Sequence, residues 1–123
     1  MVAVREQYPQ RPNGFAAAFV KMLSHAEVAN DIGPNACWLL TTVVMEEERH
    51  RYAGPARMWL ATATQRCGIP AWSTFRRLRL KCIERGWLAY EEPTGPNATN
   101  QSVAAIDFPS QTRIDGNSIA LVC

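Results

Sequence analysis

The chain has 123 residues, of which 47% are hydrophobic and 20% charged, with a formal net charge of +2. That length sets one domain as the expectation, and that composition a globular chain able to bury a core. A membrane-spanning helix is excluded, since no stretch approaches the roughly 18 apolar residues of a span, and a net charge this small names no partner by itself.

Residues 1–13 carry two prolines and two glutamines and run into Asn13-Gly14, which reads as a flexible tail. From Phe15 the spacing turns helical. Phe15, Phe19, Met22, Leu23, Ala26 and Ala29 share one face, which predicts a single long helix ending at Asp31-Ile32-Gly33, with Ser24-x-x-Glu27 a chance capping-box match inside it. Gly33-Pro34 opens a second helix, because proline suits a first turn whose N–H groups have no partner. Its stripe of Ala36, Cys37, Leu39, Leu40, Val43 and Val44 places it at the centre of the core. Glu46-Glu47-Glu48 ends the stripe, and a short strand is expected at Arg51-Tyr52. Pro55 starts a third helix, "PARMWLATATQRCG", which Gly68 stops. A fourth follows within a few residues at "IPAWSTF". Trp87 to Glu91 reads as a strand, 92–100 as a turn cluster, and "QSVAAIDF" as a return strand. Residues 109–123 form a C-terminal tail with no assigned element. The domain proper is therefore 14–108.

Cys37, Cys67, Cys82 and Cys123 lack any Cys-x-x-Cys pair, and His25 and His50 add no ligand spacing, so no metal site is expected. The N-terminus has no charged start followed by an apolar run and a cleavage site, so the expectation is a cytoplasmic chain with reduced, inert thiols. Cys37 and Cys82 are placed in the core, as are Trp59 and Trp87. Glu47-x-x-His50 has half the spacing of a di-iron site but no second half, which makes it a solvated helix end. No phosphate loop, nucleophile motif or acid–base pair is present. The chain is read as no enzyme, with no catalytic residue and no cofactor.

The charge is unevenly spread. Residues 66–85 hold six cations and one acid, a local net of +5, while the remainder holds seven cations and ten acids, a net of −3. Concentrated positive charge of this kind is the footprint of a nucleic-acid binder. Helical geometry at about 100° per residue puts Phe75, Leu78, Cys82 and Ile83 on a buried side of the fourth helix. Ser73, Arg77, Lys81 and Glu84 fall opposite, with Thr74, Arg76 and Leu80 on the flanks. Hydroxyls near the N-terminus and cations along the length suit a helix in the DNA major groove. Arg79 points at the core instead, and a buried cation needs a partner, for which Glu46, Glu47 and Glu48 are the candidates.

Helix, short glycine-bearing turn and second helix is the helix-turn-helix arrangement, and the hairpin after it is a wing. At these residues, "STFRRLRLKCIERGWL" resembles the recognition helix and following strand of winged helix-turn-helix proteins. "DIGPNACWLL", "RYAGP" and "RGWLAY" are similar to segments of small bacterial winged-helix proteins, and the resemblance covers roughly Phe15 to Asp107. It implies a mainly α fold with a small β-hairpin, and double-stranded DNA binding through residues 70–85 in transcription regulation. By position it implies contacts from Trp72, Ser73, Thr74, Arg76 and Arg77, to which the helix face adds Lys81. Trp72 also fits packing against the third helix. The wing region, Glu91 to Asn100, departs from the pattern by holding two acids and no cation, so little wing contact is expected. A replication-initiator or a phage or plasmid accessory protein, or a winged-helix protein–protein interaction module, is the alternative. A homodimer or a protein partner stays open.

Overall fold

The computed structural model describes residues 8–91, 101–108, 112–115 and 118–121, with the side chains of 58–61, 101–103, 112–115 and 118–121 outside that description. The elements are α1 (Phe15–His25), α2 (Ala29–Ile32), α3 (Pro34–Arg49), β1 (Ala56–Trp59), α4 (Leu60–Cys67), α5 (Trp72–Glu84), β2 (Leu88–Glu91), β3 (Gln101–Ile106), β4 (Thr112–Asp115) and β5 (Ser118–Leu121). The described chain is mainly helical with a small three-stranded antiparallel sheet in the order β1-β3-β2. α3 is the central helix, as its stripe predicts: Ala36, Leu40 and Val44 are fully buried. Around it pack Phe19 and Met22 of α1, Phe75 and Cys82 of α5, and Leu88 and Ile106 of the sheet. Phe15, Phe19, Trp87 and Phe108 meet edge-on or offset at centroid separations of 6.0–6.4 Å. Such offsets match the quadrupoles of the rings.

Several boundaries differ from the sequence reading. α1 stops at His25 instead of running on to Ala29, because Glu27 takes a left-handed backbone with φ 55° and the Val28 N–H turns back to the Leu23 carbonyl. The expected strand at Arg51-Tyr52 is likewise a left-handed turn, with φ 55° and 56°, and it closes α3. The third helix begins at Leu60, five residues past Pro55. Between them lies β1, antiparallel to β3 with Ala56 opposite Ala104. β2 pairs with the other edge of β3, Leu88 opposite Ile106. Trp87 is buried as expected, whereas the side chain of Trp59 lies outside the described residues, as do Glu92 to Asn100 and Cys123.

Of the three glutamates ending α3, Glu48 is exposed but Glu46 and Glu47 are not. Glu46 is 5% exposed and Glu47 fully buried. Glu47 accepts hydrogen bonds from the Tyr8 hydroxyl, from Arg11 Nε at 3.2 Å and from the backbone N–H of Ile106 at 2.9 Å. Arg11 also donates to the Ile106 carbonyl at 2.7 Å and lies over the Phe15 ring at 4.3 Å. Residues 8–13, read as part of a tail, thus form a strap that joins α3 to the end of β3. Part of the unassigned C-terminal stretch pairs as the β4–β5 hairpin, Thr112 opposite Leu121, and β5 lies against α1.

Candidate nucleic-acid interface

Four residues connect α4 to α5, and local chemistry fixes that turn. Gly68, at φ 68°, follows the last residue of α4; its N–H meets the Gln65 carbonyl, and the Ile69 N–H reaches back to Thr64. This pairing satisfies carbonyls that a helix end leaves open, and only glycine enters the left-handed region without a Cβ penalty. Buried Ile69 then pins the turn to the core, and Pro70 and Ala71 lead into α5. The other end of α5 closes in the same way: Gly86 has φ 84°, and the Trp87 N–H bonds the Cys82 carbonyl at 2.9 Å. Both ends of α5 are therefore fixed, and so is its rotation.

That rotation matches the angular reading. Phe75 and Cys82 are buried and Leu78 half-buried, while Ser73, Arg76, Arg77, Leu80, Lys81 and Glu84 are exposed. Thr74 is half-buried at the rim. Trp72 remains 42% exposed and stacks on Phe75 of its own helix, centroids 5.9 Å apart. It is thus both packed and presented.

The positive field is narrower than the sequence count suggests. Arg66 is bonded to Glu46, which Arg49 and His50 also approach, at 3.4 and 3.2 Å. Arg85 pairs with Asp31 at 2.9 Å. Arg79 is 8% exposed and donates to the Tyr90 hydroxyl at 2.8 Å. Of its three expected carboxylate partners, Glu46 is bonded to Arg66 and Glu47 to Arg11. What remains on the face is Arg76, Arg77 and Lys81, which make no ion pair with another described residue.

Comparison with protein-family models, with curated proteins and with solved structures finds no match for this chain.

Other chemistry at the site is sparse. Among the described residues no group of His, Cys, Asp and Glu could hold a metal ion, and no helix is long and apolar enough to cross a membrane. Burial pushes the thiols of Cys37, Cys67 and Cys82 upward, that of Cys82 to about 12, which keeps them protonated and poorly nucleophilic. Beneath α5 lies a cavity of about 30 Å³ lined by Leu39, Ala63, Phe75, Arg79 and Tyr90, among others. It has room for water and none for a ligand. Sequence reasoning left unassigned the two residues that most extend the surface picture, Trp38 and Met45, 53% and 48% exposed on α3. Their separation of seven positions was the available signal, since it sets both on the side of α3 away from Leu40.

Proposed function

We propose that this chain is a winged helix-turn-helix protein that binds double-stranded DNA through the exposed face of α5 and acts in transcription regulation. The observation that carries the reading is the trio Arg76, Arg77 and Lys81. They stand on one outward face of a helix with both ends fixed, below Ser73, Thr74 and Trp72 at its N-terminal end. Cations so placed meet phosphates, and the N-terminal residues of such a helix approach base edges. The chain order supports the same reading: two helices joined by a short glycine turn, followed by two strands and backed by β1 on the far edge of β3. No catalytic group, cofactor or metal takes part.

The test is a titration of mixed-sequence duplex DNA at increasing salt. Each phosphate contact adds about −0.9 to the log–log slope, so three cations give about −2.7 per chain. Arg77→Ala lowers affinity for all sequences and flattens the slope by about one unit. Failure of the wild-type chain to bind at low salt overturns the reading. A specific observation favours one rival, a winged helix that binds protein: Trp38 and Met45 are exposed together on α3, remote in sequence from α5. That rival predicts that Trp38→Ser changes association with a protein or a second copy while Arg77→Ala does not.

A further inference from the structure

Arg79 is the one cation of α5 that turns inward, and its surroundings connect two elements. Its guanidinium carbon lies 4.2 Å from the ring centroid of Tyr90 on β2 and 5.4 Å from that of Trp72 in the first turn of α5. The guanidinium donates a hydrogen bond to the Tyr90 hydroxyl at 2.8 Å, and Phe75, 6.0 Å from the guanidinium, stacks on Trp72. Arginine stays charged in proteins, and its planar cation is attracted to aromatic faces more strongly as water is removed. At 8% exposure most of that water is gone.

The consequence falls on Trp72. A large side chain left 42% exposed at the edge of a binding face loses rotamer freedom when it docks. Here part of that freedom is already lost, because the indole stacks on Phe75 and, beside that ring, meets a cation anchored on the hairpin. The hairpin thereby gains a role that its charge does not supply. Glu91 at the end of β2 repels phosphate, yet Tyr90, one residue earlier, reaches α5 through Arg79.

We infer that Arg79 and Tyr90 are positioning residues that hold Trp72 against the DNA-contacting face, so that the hairpin aids binding by orienting this indole rather than by touching DNA. The inference rests on the DNA reading of α5. Trp72 supplies an apolar contact beside the cations, of the kind that packs on sugar or a thymine methyl.

The experiment is a double-mutant cycle on DNA affinity, with thermal melts run on every variant. Arg79→Met is expected to weaken binding about five- to tenfold at an unchanged salt slope. In a Trp72→Ala background the same substitution has no further effect, because its route is gone. A merely structural role would lower the melting temperature without producing this non-additivity in affinity. A slope flattened by about one unit places Arg79 on a phosphate and overturns the inference. So does an equal loss in both backgrounds. If Arg79→Met does not fold, Tyr90→Phe carries the same cycle, since it keeps the ring and removes only the hydroxyl. Wild-type chain that binds DNA while Trp72→Ala binds equally well removes the inference alone. Wild-type chain that does not bind removes the reading of α5 as well.

Discussion

Glu47 shows how far a residue can depart from its chemical type. Counting from Leu40 along α3 puts it seven positions on, which is the core side of the helix, yet a carboxylate among three reads as solvent-facing. The answer lay outside any local window: Arg11, its cation, comes from 36 residues earlier, in a segment with no periodicity. A buried charge that loses its partner is strongly destabilising, whereas replacing both partners is often mild. Arg11→Met is therefore expected to lower unfolding stability by about 3–5 kcal/mol, and adding Glu47→Gln to recover part of it, as read from denaturant melts of the four species. Two losses that simply add would refute the coupling. Cys82 carries a second residue-scale expectation. Burial first, and then the neighbouring Cys37, raise its thiol from 9.0 to about 12. The folded chain keeps this proton at alkaline pH where the unfolded chain has lost it. The contribution is full below about pH 9 and is lost as pH rises toward 12. Cys82→Ala is expected to be less stable at neutral pH but to show a shallower alkaline decline in melting temperature. An unchanged decline would assign it to other groups.

At the scale of elements, legibility followed the residue that closes each helix. All four of α1, α3, α4 and α5 end with the same backbone pairing, in which a left-handed residue lets the next N–H reach back to the final turn. Two use glycine, at 68 and 86, and the sequence marks those ends. The other two place Glu27 and Arg51 in that conformation, where no glycine marks the end, so periodicity alone extends α1 past His25 and makes a strand of the turn at Arg51-Tyr52. A non-glycine residue there costs about 1 kcal/mol, and Glu27 is exposed and makes no ion pair with another described residue. Glu27→Gly is expected to raise stability by about 0.5–1 kcal/mol, and a melting temperature that falls would show the strain to be absent. β1 was missed for another reason. Proline starts α3 at Pro34, and the same cue at Pro55 pointed to a helix, but Ala56–Trp59 becomes a strand only by pairing with β3, more than 40 residues later. Long-range pairing overrides local pattern. The face of α5, in contrast, depends on one helix and its own periodicity, and it was legible almost residue by residue. Its rotation has a direct check: Phe75→Ala should cost about 3–5 kcal/mol and Leu80→Ala less than about 0.5, by denaturant melts. Comparable losses at both positions would mean a helix turned from this orientation.

Among the described residues, two sets of charges stand apart, with no ion pair between them. One centres on the buried Glu46 and Glu47, which bond Arg66 and Arg11 and tie α4, the strap and the end of β3 to the central helix. The other is external: Arg76, Arg77 and Lys81 face outward from α5 and make no ion pair with a described residue. The local net of +5 in the sequence mixed them, because Arg66, Arg79 and Arg85 contribute to that count and are held by other residues. If the internal set maintains the fold and the external set binds DNA, the two can be damaged separately. Removing residues 1–13 takes away Tyr8 and Arg11, leaves Glu47 with the Ile106 N–H, and should cost about 3 kcal/mol or more of stability. The side-chain hydrogen bonds of Tyr8 and Arg11 go to α3 and β3 and not to α5, so the chain that remains folded in a cool buffer should bind duplex DNA with the salt slope of the intact protein. Arg77→Ala should do the reverse. Its side chain is exposed, so stability should shift by less than about 0.5 kcal/mol, while affinity falls and the slope flattens by about one unit. Thermal melts and DNA titrations on both variants complete the cross. A truncated chain that is fully folded yet has lost its DNA affinity would place residues 1–13 in the interface, and the division between the two charge systems would then be wrong.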